Sequence, residues 1–282
     1  MKKTYIKETP VLLFVALLGL STAAKAELIG YDLYSGNLNS NLGLTYYQND
    51  AQGAYASSQD GFGKYQSAGA NSSAVPDGLI DMSGWGLLDN YGLVMPTENY
   101  AFFGITDTVN SSNPAGNSTA EWGFDIGNFS NLSIDIDFAA MGDFESSDTY
   151  SLSYAVDDSL FSPLFVFTTE GSLSLNYTMV NGNQRMLNDP LSIRGPNSPF
   201  RFNLTNEFTQ YSANIGEQGQ TLRLRMDARA DGGTEAFGFS NIRINGTALA
   251  DEPITGISEV SEPGTLAIMS LSLLGLFRRY SA

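Results

Sequence analysis

The sequence predicts an all-β protein that folds as an antiparallel two-sheet β-sandwich. Apolar and polar residues alternate with a period of two in several segments, including 133–138, 150–156 and 222–229, so each strand would bury one face. Clusters of Gly, Asn, Asp, Ser and Pro separate these segments. No segment of ten or more residues between positions 27 and 250 has helical periodicity, and many short strands with one polar face are typical of a sandwich.

The last predicted strand changes phase along its length. Phe237 and Phe239 alternate in one phase, whereas Ile242 and Ile244 alternate in the other. A β-bulge at Ser240–Asn241 would restore a single buried face and redirect one polar side chain. The predicted strands are, in chain order, 28–33, 42–47, 100–106, 121–126, 133–138, 150–156, 164–168, 173–179, 208–214, 222–229 and 236–244.

The composition excludes several classes of function. The 282 residues include 14 basic and 30 acidic side chains, a formal net charge of −16, with neither cysteine nor histidine. Disulfides, thiolate zinc sites, cysteine nucleophiles and histidine-based triads are therefore impossible. The pI near 4.2 argues against nucleic-acid binding, which needs a basic surface.

One sandwich domain, residues 27–250, accounts for the middle of the chain. Within it, residues 48–75 are rich in Gly, Ser, Ala, Gln and Asn and poor in aliphatic residues, which predicts a flexible insert. Residues 251–260 are predicted to form a linker, so the segments on either side of the domain need a separate explanation.

The N-terminus, residues 1–26, has the three parts of a secretory signal peptide. Lys2 and Lys3 precede an apolar run over 11–20, which is followed by the small-residue cleavage site Ala24-Lys25-Ala26. An N-terminal membrane anchor is the alternative, but the run is shorter than the ~20 apolar residues that a span needs. We expect export through the Sec translocon and a mature chain that begins at Glu27.

The C-terminus, residues 261–282, also has three parts. Ser261, Glu262 and Pro263 precede an apolar segment over 265–277, predicted to be a transmembrane helix, and the basic pair Arg278 and Arg279 follows it. This arrangement resembles the PEP-CTERM sorting signal of Gram-negative bacteria, although Ser261 replaces the first proline of the motif. The resemblance implies cleavage by an exosortase, a transient inner-membrane anchor, and then release or attachment at the outer surface or extracellular matrix, often among exopolysaccharide. A permanent single-span tail anchor is the alternative.

A second resemblance covers roughly residues 100–247. An acidic loop over 142–148, a strand ending at Asp157-Asp158 and a closing strand over 236–246 follow one another in this order. The order resembles jelly-roll, lectin-like modules appended to secreted bacterial enzymes and surface proteins. Asp157-Asp158 and Ser240 differ from the usual residues of that pattern, so the resemblance implies the fold and leaves any ligand site open.

Five acidic residues form the candidate metal site. Asp143, Glu145 and Asp148 lie in one predicted loop, and Asp231 and Glu235 precede the closing strand. If the sandwich pairs these segments, carboxylate oxygens converge as Ca²⁺ requires. The alternative is that they are ordinary solvated turn residues.

Paired carboxylates are the remaining catalytic candidates, namely Asp135 with Asp137 and Glu121 with Asp125. Glycosidases use two carboxyl groups about 5–9 Å apart, and Asp135 and Asp137 would share one strand face. They are also simply the outward half of an alternating strand. The outward arginines of the 222–229 segment are interpreted as a solvated face that pairs with neighbouring carboxylates; they are Arg223, Arg225 and Arg229.

Aromatic residues suggest a carbohydrate-binding role. Trp85 and Tyr91 are candidates for stacking on sugar rings, whereas Trp122 alternates with Phe124 and is expected in the core. The sequence therefore predicts a non-enzymatic surface or matrix protein that binds or associates with exopolysaccharide or envelope glycans, with Ca²⁺ as the candidate cofactor. An acidic-pair glycoside hydrolase and a purely structural or adhesion component are the alternatives.

Overall fold

The structure is a computed structural model that describes residues 25–51, 57–68, 75–87, 91–196 and 198–249. Its described strands all belong to one compact unit, which ends at Ala248; of the second unit, only its first residue, Leu249, is described. The predicted signal peptide up to residue 24, the predicted linker and the predicted sorting signal lie outside the described residues. Among the described residues, no helix is long and apolar enough to cross a membrane.

The described residues form fifteen strands, paired antiparallel, and one 3₁₀ helix at Ser83–Trp85. In chain order the strands are β1 (Ala26–Asp32), β2 (Leu44–Asn49), β3 (Gly61–Gln66), β4 (Ala101–Thr106), β5 (Ser118–Asp125), β6 (Phe129–Met141), β7 (Thr149–Val156), β8 (Ser162–Thr169), β9 (Ser174–Thr178), β10 (Gln184–Asn188), β11 (Leu191–Arg194), β12 (Phe202–Asn203), β13 (Thr209–Ile215), β14 (Thr221–Arg229) and β15 (Ala236–Ala248).

Two large sheets form the sandwich. A seven-stranded sheet has the order β12-β11-β8-β7-β14-β5-β2, and a six-stranded sheet has the order β13-β6-β15-β4-β3, with β1 also paired to β15. Strands β9 and β10 form a separate hairpin. The prediction of an all-β, antiparallel sandwich is confirmed. All eleven predicted strands have a counterpart in the described structure, with ends that differ by a few residues.

The main core lies between the two sheets, where strands such as β14 bury alternate residues. Along β14, the side chains of Leu222, Leu224 and Met226 are buried, and the residues between them are half-buried. They pack in one cluster with Trp122 of β5 and with the phenylalanines of β15. The expected burial of Trp122 is confirmed.

The predicted β-bulge in β15 is also confirmed. The pairing of β15 with β6 shifts register between Ser240 and Arg243, and Asn241 adopts a left-handed conformation with φ of +51°. The shift allows both phases of the strand to enter the same core. It also changes the partner on the other edge of β15, which pairs with β4 before the bulge and with β1 after it.

The predicted flexible insert at 48–75 requires a correction. Residues 61–66 within it form β3, which pairs with β4 over its whole length. Gly61 and Gly63 obscured the alternating pattern, because neither contributes a side chain to either face. Gly61 is required by packing, since a Cβ there would lie 2.4 Å from Cγ of Pro76. The short strands β10, β11 and β12 were likewise not predicted.

Candidate functional site

Two loops that cross between the sheets meet at one end of the sandwich. The loop 142–148 joins β6 to β7, and the loop 230–235 joins β14 to β15. Strand β6 pairs with β15 up to Met141 and Ala236, and β7 pairs with β14 up to Thr149 and Arg229. Because the strands on both sides are neighbours, the acidic residues of the two loops come together.

These loops place three carboxyl groups in one cluster, Glu145, Asp148 and Glu235, which we call the acidic corner. One carboxylate oxygen of each residue lies within 4.8 Å of the other two. Asp148 connects the loops, since its Oδ2 accepts the backbone N–H of Glu145 at 2.7 Å and its Oδ1 accepts that of Asp231 at 3.2 Å.

Glu235 is the most deeply buried member of the acidic corner. It is 1% exposed, and its Oε2 accepts no hydrogen bond from the described residues. Burial and the neighbouring carboxyl groups of Glu145 and Asp148 raise the pKa of Glu235 to about 11. Two glycines make room for it: a Cβ at Gly142 would lie 3.0 Å from Glu235 Cα, and one at Gly232 would lie 2.4 Å from Oε1.

Tyr150 of β7 lies beside the acidic corner. Its hydroxyl is buried and has no hydrogen-bond partner among the described residues. Burial raises the pKa of Tyr150 well above its ordinary value, and the charges of Glu235 and Asp148 raise it further. Asp148 and Tyr150 also line a cavity of about 170 Å³, which has room for several water molecules at ~30 Å³ each.

The chemistry of the acidic corner fits Ca²⁺. This ion takes six to eight oxygen ligands, carboxylates among them, at ~2.3–2.6 Å. Three carboxyl groups this close repel one another, and burial removes water from Asp148 and Glu235, so protons or a cation would stabilise the cluster. Glu145, Asp148 and Glu235 would hold the ion, and water in the adjacent cavity would supply further oxygens.

Two of the five predicted ligands are not members of the acidic corner. Asp143 is exposed, because the neighbouring Phe144 turns into the core and leaves Asp143 on the solvent side. The carboxylate of Asp231 accepts a hydrogen bond from Nη1 of Arg229 at 3.0 Å. The predicted set of five converging ligands is therefore reduced to three.

A second polar site, not predicted, lies on the outer face of the seven-stranded sheet, where β14, β5 and β2 are adjacent. We call it the polar groove. It has a volume of about 340 Å³ and is lined by Gln48, Asn49, Asp50, Thr119, Glu121 and Arg225.

Glu121 and Arg225 form the centre of the polar groove. Arg225 donates hydrogen bonds to Oε2 of Glu121 from Nε at 3.1 Å and from Nη2 at 2.9 Å. The hydroxyl of Tyr46 donates to the other carboxylate oxygen. Burial raises the pKa of Glu121, but the hydrogen bonds from Tyr46 and Arg225 and the nearby positive charges hold it below its ordinary value.

The outward arginines of β14 pair with carboxylates, as predicted. Besides the contact of Arg225 with Glu121, Arg223 Nη1 lies 4.0 Å from Oε1 of Glu121, and Arg229 binds Asp231. The guanidinium carbon of Arg225 also lies 3.8 Å from the centre of the Phe161 ring, a cation–π contact that helps to hold the side chain in place.

One feature of the sequence indicated that another residue approaches β5 closely at the polar groove. Gly123 interrupts the alternation of β5, and a glycine inside a strand often marks a close approach. A Cβ at Gly123 would lie 2.1 Å from Cε1 of Tyr46, so the tyrosine ring rests on this glycine. Tyr46 could not be singled out beforehand, because its neighbour Tyr47 packs on Trp122 instead and only strand pairing decides between them.

The carboxylate pairs considered for catalysis are engaged in other contacts. Asp135 accepts a hydrogen bond from Nδ2 of Asn245 at 3.1 Å, and Asp137 accepts one from Nδ2 of Asn241 at 2.7 Å. The second pair includes Glu121, whose carboxylate is bound in the polar groove.

The two predicted stacking residues lie elsewhere. Trp85 ends the 3₁₀ helix and is half-buried against a second apolar cluster on the outer face of the six-stranded sheet. Tyr91 is 37% exposed, and the guanidinium carbon of Arg185 lies 5.3 Å from the centre of its ring. Neither residue lines the polar groove.

The fold defines the chain as an antiparallel β-sandwich domain. No family model matches it, and no curated protein matches it at a significant level. Among solved structures, it is similar to the C-terminal family 22 carbohydrate binding module of Clostridium thermocellum Xyn10B, with 10% identity and a TM-score of 0.25 over 55% of this chain and 77% of that chain. It is also similar to the K2 cleaved adhesin domain of Lys-gingipain, with 11% identity and a TM-score of 0.32 over 77% of this chain and 97% of that chain. The K3 adhesin domain from Porphyromonas gingivalis W83 gives 10% identity and a TM-score of 0.28 over 71% of this chain and 98% of that chain.

Proposed function

We propose that this protein is an exported, non-enzymatic β-sandwich protein that binds Ca²⁺ and associates with exopolysaccharide at the outer surface or in the matrix of a Gram-negative bacterium. The observation that carries the proposal is Glu235, a carboxyl group that is 1% exposed, lies beside Asp148 and Glu145, and has one oxygen, Oε2, with no hydrogen-bond partner in the described part of the chain. A bound Ca²⁺ would neutralise this cluster and join the two crossover loops.

Calcium binding is consistent with export. Extracellular modules bind Ca²⁺ with dissociation constants of about 10⁻⁴–10⁻³ M, which suits the concentrations outside a cell. The net charge of −16 favours solubility there and attracts divalent cations. The contacts of Asp135 with Asn245 and of Asp137 with Asn241 favour binding over hydrolysis, because a glycosidase needs one carboxyl group that is available to give its proton to the substrate.

We assign the sandwich to the jelly-roll class, and the order of its strands supports this. The chain alternates between the two sheets at β5–β6, β6–β7, β13–β14 and β14–β15. The first and last strands, β1 and β15, are paired, as closing strands of such a sandwich would be.

Export and sorting rest on the two termini. Cleavage after Ala26 would remove only the first residue of β1 and leave its pairing from Glu27 onward in place. The intact mass and location of the mature protein, expressed with and without an exosortase, test the sorting step. Loss of residues after about Ser261 together with release from the inner membrane supports it; retention of Arg278 and Arg279 in both hosts indicates a plain tail anchor.

Thermal unfolding with and without Ca²⁺ tests the metal site. At 10 mM Ca²⁺ and the dissociation constants above, binding stabilises the fold by about 1.4–2.7 kcal/mol, a rise of roughly 3–10 °C in Tm. Glu235→Gln removes the carboxylate without changing its shape. In chelator this variant should be at least as stable as the natural protein, because a buried ionisable group has been removed.

The variant's response to Ca²⁺ decides the outcome. We expect Glu235→Gln to lose most of the Ca²⁺-dependent rise in Tm, whereas Asp158→Asn, a change at an exposed aspartate, should keep it. An equal rise in all three proteins would contradict the proposed site.

A further inference from the structure

We infer that the polar groove on the outer face of the seven-stranded sheet binds a neutral glycan chain, with the Glu121–Arg225 pair as its polar centre and the ring of Tyr46, which is bound to Glu121 beside the groove, as a stacking platform at its margin. This inference rests on the proposed association with polysaccharide and gives it a site. The polar groove is separate from the acidic corner, because the two share no lining residue.

The Tyr46 ring lies beside the polar groove, because its hydroxyl is bound to Glu121, one of the lining residues. The ring lies on Gly123, where any larger residue would collide with it, and the ring is half-exposed. Its hydroxyl is fixed by the hydrogen bond to Glu121. A ring held at its edge and supported on one side can present its other side to a ligand at little entropic cost. The apolar C–H groups of a pyranose pack well on such a surface.

Arg225 and Glu121 offer a sugar both hydrogen-bond donors and acceptors. Arg225 uses two of its five N–H groups for Glu121, which leaves three for other acceptors. Its side chain is 36% exposed and is held between Glu121 and the ring of Phe161, so these donors are oriented and reachable. Adjacent hydroxyl groups of a sugar both donate and accept, and a carboxylate beside a guanidinium satisfies both roles.

The walls of the groove are also fixed in advance. Oδ1 of Asp50 accepts the backbone N–H of Thr119 at 2.7 Å, and the hydroxyl of Thr119 donates to Asp227 at 2.7 Å. The edge strand β2 and the neighbouring β5 are thereby connected at the end of the groove. Preorganised polar groups of this kind lower the cost of binding, since little side-chain freedom is lost.

Size and charge select the ligand. A volume of about 340 Å³ is near the lower end of the ~300–1,000 Å³ that small-molecule sites have, so one or two sugar rings would occupy it. Asp50, Glu121 and Arg225 together give the lining a net charge of −1, and the chain as a whole has a net charge of −16. Both of these net charges are negative, so they repel a polyuronate, which is an anionic polysaccharide. The groove is therefore suited to a neutral glycan.

Calorimetric titration of the mature full chain with a panel of neutral hexasaccharides (xylo-, cello-, manno- and galacto-) and with oligogalacturonate tests the inference. We expect binding of at least one neutral oligosaccharide and none of the uronate. Tyr46→Ala should weaken binding at least about fivefold through loss of stacking. Gly123→Ala should weaken it as well, because its Cβ displaces the ring while Tyr46 itself is kept.

Arg229→Ala is the matched control, since Arg229 is on the same strand face but does not line the groove. It should bind as the natural protein does, and thermal unfolding of each variant verifies that it is folded. Failure of every neutral oligosaccharide to bind, binding of the uronate alone, or unchanged binding in both Tyr46→Ala and Gly123→Ala would overturn the inference.

The two proposals can fail separately. Glu235→Gln should lose the response to Ca²⁺ and keep glycan binding. Stabilisation by Ca²⁺ without glycan binding would support the metal site and contradict glycan binding in the polar groove. Glycan binding without a response to Ca²⁺ would support the groove and contradict the metal site.

Discussion

The carboxylate of Asp32 and the indole of Trp122 form a hydrogen bond of 2.7 Å that joins the two sheets through the core. Asp32 ends β1 of the six-stranded sheet, and Trp122 is the central residue of β5 in the other. The same oxygen of Asp32 lies 2.5 Å from Nζ of Lys64, which is itself 4.0 Å from the centre of the Tyr47 ring. Oδ2 of this fully buried carboxylate thus has a charged partner and a neutral one, whereas its Oδ1 has no hydrogen-bond partner among the described residues.

Asp32→Asn should lower the free energy of unfolding by about 3 kcal/mol, because it leaves Lys64 without its counter-charge in a mostly buried position. Urea denaturation measures the change. The double variant Asp32→Asn with Lys64→Met should recover part of the loss, since it removes the uncompensated charge. If the double variant is less stable than Asp32→Asn alone, the ion pair is not the cause.

Ser240→Ala should lower the free energy of unfolding by about 1–2 kcal/mol. The Ser240 side chain is fully buried at the β-bulge, with its hydroxyl 3.0 Å from the carbonyl oxygen of Leu33 and 2.5 Å from that of Ala101. It therefore holds the end of β1 and the start of β4 at the point where β15 changes partner. Ser151→Ala on the exposed face of β7 is the control and should be within about 0.5 kcal/mol of the natural protein. Equal losses in the two variants would contradict this role of the hydroxyl.

The stability of the Ca²⁺-free protein should fall as pH rises from 5 to 8. In the folded state the pKa of Glu235 is raised to about 11, whereas in the unfolded chain it returns to about 4.5. Between these values the unfolded chain binds fewer protons than the folded one, so the free energy of unfolding decreases with pH, by at most about 1.4 kcal/mol per pH unit from this group. Urea denaturation in chelator at several pH values measures the slope.

The slope has two controls. Glu235→Gln should flatten it, because the residue that keeps its proton is gone. Saturating Ca²⁺ should also flatten it, since the ion replaces the proton and binds more tightly as pH rises. A slope that is the same in chelator for Glu235→Gln and the natural protein would show that another group is responsible.

Gly142→Ala should weaken the Ca²⁺-dependent rise in Tm, because the added Cβ would lie 3.0 Å from Cα of Glu235 and displace that residue. Gly171, where a Cβ meets nothing within 4 Å, provides the control variant Gly171→Ala, which should respond to Ca²⁺ as the natural protein does. Differential scanning fluorimetry across a Ca²⁺ titration compares them. An unchanged response in Gly142→Ala would mean that the position of Glu235 does not limit binding.

The alternation of residues was sufficient to predict the sandwich, the burial of Trp122 and the bulge at Ser240–Asn241. Each depends on which side of a strand a residue faces, and a period of two determines that locally. The strand β3 was missed because its two glycines carry no such information, and its identity as a strand comes from pairing with β4.

The acidic corner was predictable in part. The two acidic loops were visible in the sequence, but all five candidates are acidic loop residues. Nothing in the sequence separates Asp143 and Asp231 from the three residues that converge. Their exclusion depends on the burial of Phe144 and on the contact of Asp231 with Arg229. The polar groove could not be predicted, since Tyr46 and Glu121 are 75 residues apart and meet only through the pairing of β2 with β5.

The sequence by itself determined the class of fold, the exclusion of cysteine and histidine chemistry and the faces of most strands, and it predicts the signals at both termini. These follow from composition and from the local period of each segment. Only the tertiary structure decided which carboxyl groups share a site, which aromatic ring is supported on a glycine, and that Asp32 is buried against Trp122. Such contacts join residues far apart in the chain, and they depend on sheet order and register, which local patterns do not specify.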